Sequence, residues 1–191
     1  FADLPAVGAT RAHMFIASPS GGSESMHLMY LLSLAAASTS IDLAASYFVP
    51  DSLLLEALKA ARKRDVRVRI LLPGPYLDAP VVKIASKADW GVLLSAGVEI
   101  YIFQPTMLHT KLLIIDSLFV SVGSTNFDFR SIRLNDEASL NVYDRDFAAQ
   151  MTTSFEADLQ RAKPYTFSQW RHRPLREKFT EKVVLPIKSQ L

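Results

Sequence analysis

The sequence contains no cysteine among its 191 residues. A disulfide scaffold, a thiol nucleophile and a cysteine-ligated zinc site are therefore excluded. The sequence also lacks an uninterrupted apolar run of the roughly 18 residues that a membrane-spanning helix requires. The nearest candidate, residues 26–37, is too short. No membrane-spanning helix is therefore predicted within this chain.

A strong excess of one charge is missing as well. The chain carries 21 lysine and arginine residues against 19 aspartate and glutamate residues, for a net charge of +2. Such mild basicity suits an anionic substrate, but a nucleic-acid partner is not expected from it. Hydrophobic residues make up 49% and charged residues 21%, which is typical of a domain that buries a core. Because the first residue is Phe1 rather than methionine, we expect the chain to be processed or part of a longer protein.

Strand patterns alternate with helix patterns along most of the chain. This alternation predicts an α/β fold with a mixed β-sheet flanked by helices. Asp116 and Ser117 separate two short strands, which predicts a hairpin. The predicted strands cover residues 40–46, 66–72, 98–103, 110–115, 118–122 and 137–143, and the predicted helices cover residues 23–38 (with Ser23 as N-cap), 53–63, 81–96 and 145–163.

The chain divides at its last predicted helix. We expect residues 1–163 to form one catalytic domain and residues 164–191 to form a basic and aromatic C-terminal tail. Phe167 and Trp170 are mixed with basic residues in the segment 167–173 (FSQWRHR), as in segments that lie at a membrane interface. The alternative, which we favour, is that the two aromatic side chains pack against the domain while the arginines stay in water.

Candidate catalytic residues lie between the last predicted strands. His109 and Lys111 are two residues apart at the start of a predicted strand, so their side chains project from one face. A neutral imidazole can attack phosphorus while a neighbouring ammonium group holds the phosphoryl oxygens. This pair therefore favours phosphoryl-transfer chemistry.

Polar residues follow at the ends of the next strands. Ser124 and Asn126 lie just after a strand and can donate hydrogen bonds to the same phosphoryl oxygens. Glu137 is the nearest downstream carboxylate on a strand that could orient the histidine. Asp116 has an odd offset from His109 and faces the other way in a continuous strand, which predicts a structural role.

Together these positions form the pattern H-x-K-(x)4-D-(x)6-G-S-x-N, complete from His109 to Asn126. This pattern resembles the signature of the phospholipase D superfamily. Residues 127–131 (FDFRS), 134–137 (LNDE) and 47–51 (YFVPD) resemble the cardiolipin synthase branch of that superfamily. The similarity runs from about residue 18 to residue 173, so it implies one phospholipase D-like domain.

The resemblance also implies roles for the motif residues. In the family, one motif histidine becomes covalently phosphorylated or phosphatidylated, and a second one protonates the leaving group. His109 is then nucleophile or general acid, and Glu137 hydrogen-bonds it. Lys111, Ser124 and Asn126 would bind the substrate phosphate. The family's chemistry requires no metal or other cofactor.

Only one motif is present, whereas the family's active site needs two. The chain thus resembles the C-terminal half of a bacterial cardiolipin synthase, one half of a pseudo-twofold pair. The partner that completes the site would be the N-terminal half of a parent chain or a second copy in a homodimer.

The resemblance implies a phosphatidyltransferase that joins two phosphatidylglycerol molecules and releases glycerol through a phosphohistidine-type intermediate. The alternatives are a hydrolase, either a phospholipase D or a phosphodiester nuclease, and a catalytically silent pairing module. The implied partners are an anionic phospholipid substrate and a membrane surface. The implied location is the bacterial inner membrane, reached through an anchor in a parent chain.

Overall fold

The computed structural model describes residues 8–18 and 24–184. The expected N-cap Ser23 lies outside these residues. The described strands are β1 Arg11–Ala17, β2 Ser40–Ala44, β3 Phe48–Val49, β4 Arg67–Pro73, β5 Glu99–Phe103, β6 Leu112–Ile115, β7 Phe119–Gly123, β8 Phe127–Asp128, β9 Glu137–Tyr143 and β10 Ala162–Tyr165. The described helices are α1 Glu24–Ala36, α2 Ser52–Lys63, α3 Pro80–Ser95, α4 Phe129–Arg133, α5 Arg145–Leu159, α6 Phe167–Arg171 and α7 Leu175–Val184.

One eight-stranded sheet organises the described part of the chain, in the order β1-β9-β7-β6-β2-β4-β5-β10. Strands β2, β4 and β5 run parallel to one another, and the other neighbouring pairs are antiparallel. Strands β3 and β8 form a separate two-stranded parallel ribbon. The predicted α/β class, a mixed sheet flanked by helices, is therefore confirmed.

The sheet is covered on both faces at its centre. Ile70 and Leu71 are neighbours in β4, so their side chains point to opposite faces. Both side chains are fully buried, and they belong to two different apolar clusters. Burying a side chain of this size stabilises the fold by about 1.5–3 kcal/mol. The central strands are thus held rigidly, and the loops that follow them are well positioned for a site.

The hairpin of β6 and β7 is confirmed. Asp116 and Ser117 form its two-residue turn with φ angles of 53° and 50°. Positive φ at both central residues is the requirement of a type I′ turn, whose twist matches that of the two strands. The predicted strand over residues 110–115 was two residues too long, because pairing between the strands begins at Leu112. His109 and Lys111 therefore lie in the loop that precedes β6.

The C-terminal region departs from the predicted helix over residues 145–163, which was wrong at its end. Helix α5 stops at Leu159, and residues 162–165 pair with β5 as an edge strand. Pro164 lacks a backbone N–H and cannot continue a helix, whereas an edge strand accepts it. Strand β10 thus crosses the boundary between residues 163 and 164 at which we expected the tail to begin.

Trp170 packs against the domain, as we favoured from the sequence. Its Nε1 donates a hydrogen bond to the carbonyl oxygen of Lys87 at 2.8 Å. Its ring lies so close to Gly91 that a Cβ atom there would approach it to 2.4 Å. Phe167 stacks on the ring of Trp170 and stays partly exposed. Within the described residues, no helix is long and apolar enough to span a bilayer.

Candidate active site

His109 and Lys111 meet in the loop between β5 and β6. The Lys111 Nζ atom lies 2.8 Å from Nδ1 and 3.3 Å from Nε2 of the His109 ring. The imidazole is exposed to solvent, whereas only 9% of Lys111 is exposed. The structure therefore places an accessible imidazole directly beside a nearly buried amine.

Lys111 is held from two further sides. Its Nζ donates to Ser46 Oγ at 3.0 Å and to the carbonyl oxygen of His109 at 3.1 Å. Burial lowers the pKa of Lys111, and the nearby carboxylates of Glu137, Asp78 and Asp128 oppose that shift. Sequence analysis missed Ser46, which follows β2 and becomes a neighbour of Lys111 only in the folded chain.

Asn126 is buried, and both ends of its amide have partners. Its Oδ1 accepts a hydrogen bond from the backbone N–H of Tyr47 at 3.1 Å. Its Nδ2 donates to Ser131 Oγ at 3.4 Å, near the outer limit of a hydrogen bond. The neighbouring pairing of Phe48 with Phe127 fixes the backbone on both sides. Nδ2 is therefore the atom of Asn126 that remains suited to donate to a substrate.

Ser124 links two strands. Its exposed hydroxyl accepts a hydrogen bond from the N–H of Ala138 at 3.1 Å and lies 3.4 Å from the carbonyl oxygen of that residue. The preceding Gly123 permits this close approach, because a Cβ atom there would lie 2.1 Å from the Ala138 oxygen. In this arrangement the Ser124 hydroxyl serves the strand pairing of β7 and β9.

Glu137 begins β9 and is almost buried. Its carboxylate accepts a hydrogen bond from Asn135 Nδ2 at 3.1 Å. Within residues 8–18 and 24–184, no hydrogen bond joins Glu137 to the His109 ring, which faces Lys111 instead. The expected orientation of His109 by Glu137 therefore stays a prediction.

Asp116 lies at the opposite end of β6 from the other motif residues. Asp116 is five positions after Lys111 along a nearly extended chain, which corresponds to roughly 16 Å. Its carboxylate accepts hydrogen bonds of 2.8–2.9 Å from backbone N–H groups and hydroxyls of the loop between α1 and β2. Burial alone would raise the pKa of Asp116, but these hydrogen bonds outweigh burial and hold the pKa well below its ordinary range. The donors are Ser38 N, Ser38 Oγ, Thr39 N, Thr39 Oγ1 and Ser40 N.

Tyr47 and Asp78 border the site and were not singled out from the sequence as site residues. The Tyr47 hydroxyl donates to Asp78 Oδ2 at 2.8 Å, and its ring stands edge-on to the His109 ring with centroids 6.3 Å apart. Burial and the Asp78 carboxylate raise the pKa of Tyr47 to about 12. The only sequence signal was the resemblance of residues 47–51, and nothing marked Asp78.

A cavity of about 230 Å³ opens beside this group. Asp128 lies in its wall and caps helix α4, since its Oδ1 accepts a hydrogen bond from Ser131 N at 2.7 Å. Burial raises the pKa of the Asp128 carboxyl to about 6. The lining residues are Tyr47, Ala79, Val82, Asn126, Asp128, Arg130, Ser131 and Asn135.

The site thus combines an accessible imidazole, a fixed amine and a buried amide donor. Such a set can attack phosphorus, or protonate the leaving oxygen, while it binds the phosphoryl oxygens. Across the residues that the structure covers, no three histidine or acidic side chains are grouped so that they could hold a metal ion.

Two solved structures share the fold. The phospholipase D family member Nuc from Salmonella typhimurium is 22% identical with a TM-score of 0.70, and the match covers 82% of this chain and 99% of that one. A phosphatidylserine synthase from Haemophilus influenzae is 15% identical with a TM-score of 0.75, and the match covers 100% of this chain and 49% of that one. The fold is therefore that of a phospholipase D-like domain.

The sequence comparisons narrow this class to a family. The profile of the family described as "Cardiolipin synthase, PLD-like domain" matches residues 30–159. Cardiolipin synthase 1 of Staphylococcus epidermidis is 38% identical over 161 residues, which are 83% of this chain and 33% of that protein. The chain belongs to the cardiolipin synthase family of phospholipase D-like domains. It spans about a third of the length of this curated relative.

Proposed function

We propose that this chain supplies half of the active site of a phosphatidyltransferase of the cardiolipin synthase type. That enzyme joins two phosphatidylglycerol molecules into cardiolipin and releases glycerol. The observation that carries the proposal is the contact between Lys111 Nζ and the exposed His109 ring at 2.8 Å, within a chain of this family. Phosphoryl transfer without a metal needs both a nucleophile and a fixed positive charge, and these two residues provide them.

The proposed reaction has two steps at one phosphorus atom. In the first, a ring nitrogen of one motif histidine attacks the phosphorus of phosphatidylglycerol, and the bond from phosphorus to the glycerol oxygen breaks. The second motif histidine gives its proton to that oxygen, and glycerol leaves. In the second step, a hydroxyl of another phosphatidylglycerol attacks phosphorus and gives its proton to the second histidine, and the phosphorus–nitrogen bond breaks. His109 is either the histidine that attacks phosphorus or the histidine that transfers the proton.

Substrate binding changes the contact between His109 and Lys111 in this proposal. Lys111 Nζ is hydrogen-bonded to Nδ1 of His109 in the structure, so the lone pair of Nδ1 is not available for attack. The anionic phosphoryl oxygens compete for the Lys111 ammonium group and release the ring. The freed imidazole can then turn so that its other nitrogen donates to Glu137, the nearly buried carboxylate of β9.

The remaining motif residues bind the phosphoryl oxygens of the substrate together. Asn126 Nδ2 donates to a phosphoryl oxygen in place of its long hydrogen bond to Ser131. Ser124 is exposed at the end of β7 and contributes its hydroxyl from the same side. Lys111 and its counterpart on the second half neutralise the charge, so the proposal assigns no metal or other cofactor.

The second motif comes from another phospholipase D-like half. That half lies either elsewhere in a longer protein or in a second copy of this chain. We place the enzyme at the surface of the bacterial inner membrane, where its anionic phospholipid substrate resides. Nucleic acid is not assigned as a partner.

The test is an assay of the full-length protein on vesicles of phosphatidylglycerol. Cardiolipin and free glycerol in equal amounts are expected, and both products should be absent with His109→Ala. Phosphatidic acid without cardiolipin would identify a hydrolase instead, and cleavage of single-stranded DNA would identify a nuclease. A protein that forms a stable complex but turns over none of these substrates would be a pairing module, and this outcome would overturn the proposal.

A further inference from the structure

Helix α7 presents three large apolar side chains to solvent. Leu175, Phe179 and Val183 are 81%, 70% and 61% exposed. They follow one another at intervals of four residues, so they form one stripe along the helix. Three neighbouring hydrophobic side chains this exposed form a patch that marks an interaction surface.

The opposite face of α7 is docked on the domain through its acidic residues. Glu181 is buried and forms an ion pair with Arg173, whose Nε lies 2.8 Å from Oε1. Glu177 accepts a hydrogen bond from Lys87 Nζ at 2.9 Å. Cations of the domain therefore neutralise both carboxylates, and neither contributes net charge to the outer face.

Basic residues flank the stripe. Arg176, Lys178 and Lys182 belong to α7, and none of the three forms an ion pair with a carboxylate in the described part of the chain. Lys178 Nζ donates only to the backbone carbonyl oxygen of Arg171, at 2.9 Å. The outer face of α7 is therefore apolar along its centre and positively charged at its sides.

This distribution matches the surface of an anionic bilayer. An interfacial helix buries its apolar stripe at the boundary of the acyl chains, and its lysines and arginines stay among the anionic headgroups. Each basic residue near such a surface adds attraction that salt screens. A protein partner would require an acidic rim around an apolar groove to match the same face.

The position of α7 connects this face with the active site. A cavity of about 380 Å³ between α3 and α7 is lined by Leu77 together with Arg176 and Thr180 of α7. Leu77 directly precedes Asp78, which accepts a hydrogen bond from Tyr47, and the Tyr47 ring stands edge-on to the His109 ring. Helix α7 therefore lies next to the loop that borders the candidate active site.

We propose that the outer face of α7, formed by Leu175, Phe179 and Val183 with their flanking basic residues, docks on an anionic phospholipid bilayer. Docking holds the active-site loop at the lipid surface, from which the substrate headgroup enters. The choice of a bilayer as occupant rests on the proposed function, because a phosphatidyltransferase takes its substrate from that surface.

The test is sedimentation of the 191-residue chain with vesicles, compared between mixed phosphatidylglycerol–phosphatidylcholine vesicles and pure phosphatidylcholine vesicles. The wild-type chain should bind the anionic vesicles, and the binding should weaken as salt is added. Phe179→Glu should reduce vesicle affinity at least tenfold, by roughly the transfer free energy of one aromatic side chain. Lys178→Ala with Lys182→Ala should remove most of the preference for phosphatidylglycerol.

Val92→Glu is the matched control, because Val92 is an exposed apolar residue of α3 outside the stripe. This variant should bind like the wild type, and the thermal unfolding midpoints of all variants should agree. Equal binding of Phe179→Glu and wild type would overturn the proposal. So would a change from dimer to monomer in Phe179→Glu with vesicle binding intact, since the face would then belong to a protein interface.

The vesicle-binding result does not depend on whether the protein synthesises cardiolipin. A chain that binds anionic vesicles through α7 but supports no synthesis of cardiolipin refutes the proposed reaction and leaves the docking surface in place. Synthesis of cardiolipin by a protein whose Phe179→Glu variant binds vesicles normally refutes the docking surface alone.

Discussion

The side chain of Asn126 accepts a hydrogen bond at 3.1 Å from the backbone N–H of Tyr47, which lies 79 residues earlier in the chain. This bond joins the segment after β7 to the segment after β2, next to the ribbon of β3 and β8. The bond fixes the orientation of the Asn126 amide: Oδ1 faces the N–H of Tyr47, and Nδ2 is left to donate. The orientation of Asn126, the phosphate-binding group of our proposal, is therefore set by the backbone of another segment.

Exchange of Asn126 for aspartate tests this orientation. In Asn126→Asp the Oδ1 atom still accepts from Tyr47, but an oxygen replaces the Nδ2 donor and repels the phosphate. We expect turnover of the full-length protein to fall by roughly 10²–10³-fold, as when one donor to a developing charge is removed. Steady-state kinetics measure the loss, and a melting curve shows whether the variant is folded.

Ser124→Ala is the comparison for that variant. The Ser124 hydroxyl is turned toward Ala138 in the structure, so its loss should reduce turnover by less than about tenfold. A loss as large as that of Asn126→Asp would show that Ser124 contacts the phosphate as closely as Asn126 does.

Asp116 is expected to matter for stability and not for chemistry. Asp116→Ala leaves the backbone N–H groups of residues 38–40 without their acceptor, and we expect a loss of about 2–4 kcal/mol in the free energy of unfolding. Ser38→Ala removes a single hydroxyl donor and should cost about 1 kcal/mol or less. Because the folded pKa of Asp116 is depressed, its contribution is present at neutral pH and fades as pH falls below about 4. Urea unfolding measures both values, and equal losses would contradict the structural role.

Asp128 should make stability depend on pH in the opposite sense. Its pKa rises from the ordinary 3.8 to about 6 on folding, so the folded state binds the proton more tightly and loses stability as pH rises through this window. Asparagine at this position caps α4 equally well and carries no charge. Asp128→Asn should therefore gain up to about 3 kcal/mol relative to the wild type between pH 4 and pH 7.

Asp144→Asn serves as the control for this exchange, since Asp144 caps α5 in the same way. Its effect gives the cost of replacing a capping carboxylate by an amide. Urea unfolding at several pH values measures both variants. A stability difference between Asp128→Asn and wild type that is constant from pH 4 to pH 7 would contradict a raised pKa of the buried Asp128 carboxyl.

The fold could be predicted largely from local patterns. The turn at Asp116 and Ser117 and the strand over residues 137–143 follow from alternation and turn chemistry, both of which are local in sequence. The end of α5 was wrong because the helical pattern continues beyond Leu159, whereas pairing with β5 turns residues 162–165 into a strand. That pairing is a tertiary contact, which overrides local propensity.

The site could be predicted only as far as its motif extends. His109 and Lys111 were brought together as expected because they are two residues apart. Ser46 contacts Lys111 from 65 residues away, and Asp78 reaches the site through Tyr47 from a loop without any periodic pattern. Such residues become neighbours through the arrangement of β2, β4 and β6 in the sheet, which no local spacing reveals.

The most direct test of the account is the turnover of His109→Asn in the full-length protein on phosphatidylglycerol vesicles. Asparagine is smaller than histidine but also polar, and residue 109 is exposed, so the thermal unfolding midpoint should not change. His172→Asn, at the exposed end of α6, is the control and should be fully active. We predict that His109→Asn forms cardiolipin at least roughly 10³-fold more slowly than the wild type. A rate within about tenfold of the wild type would contradict the central claim that His109 acts at phosphorus.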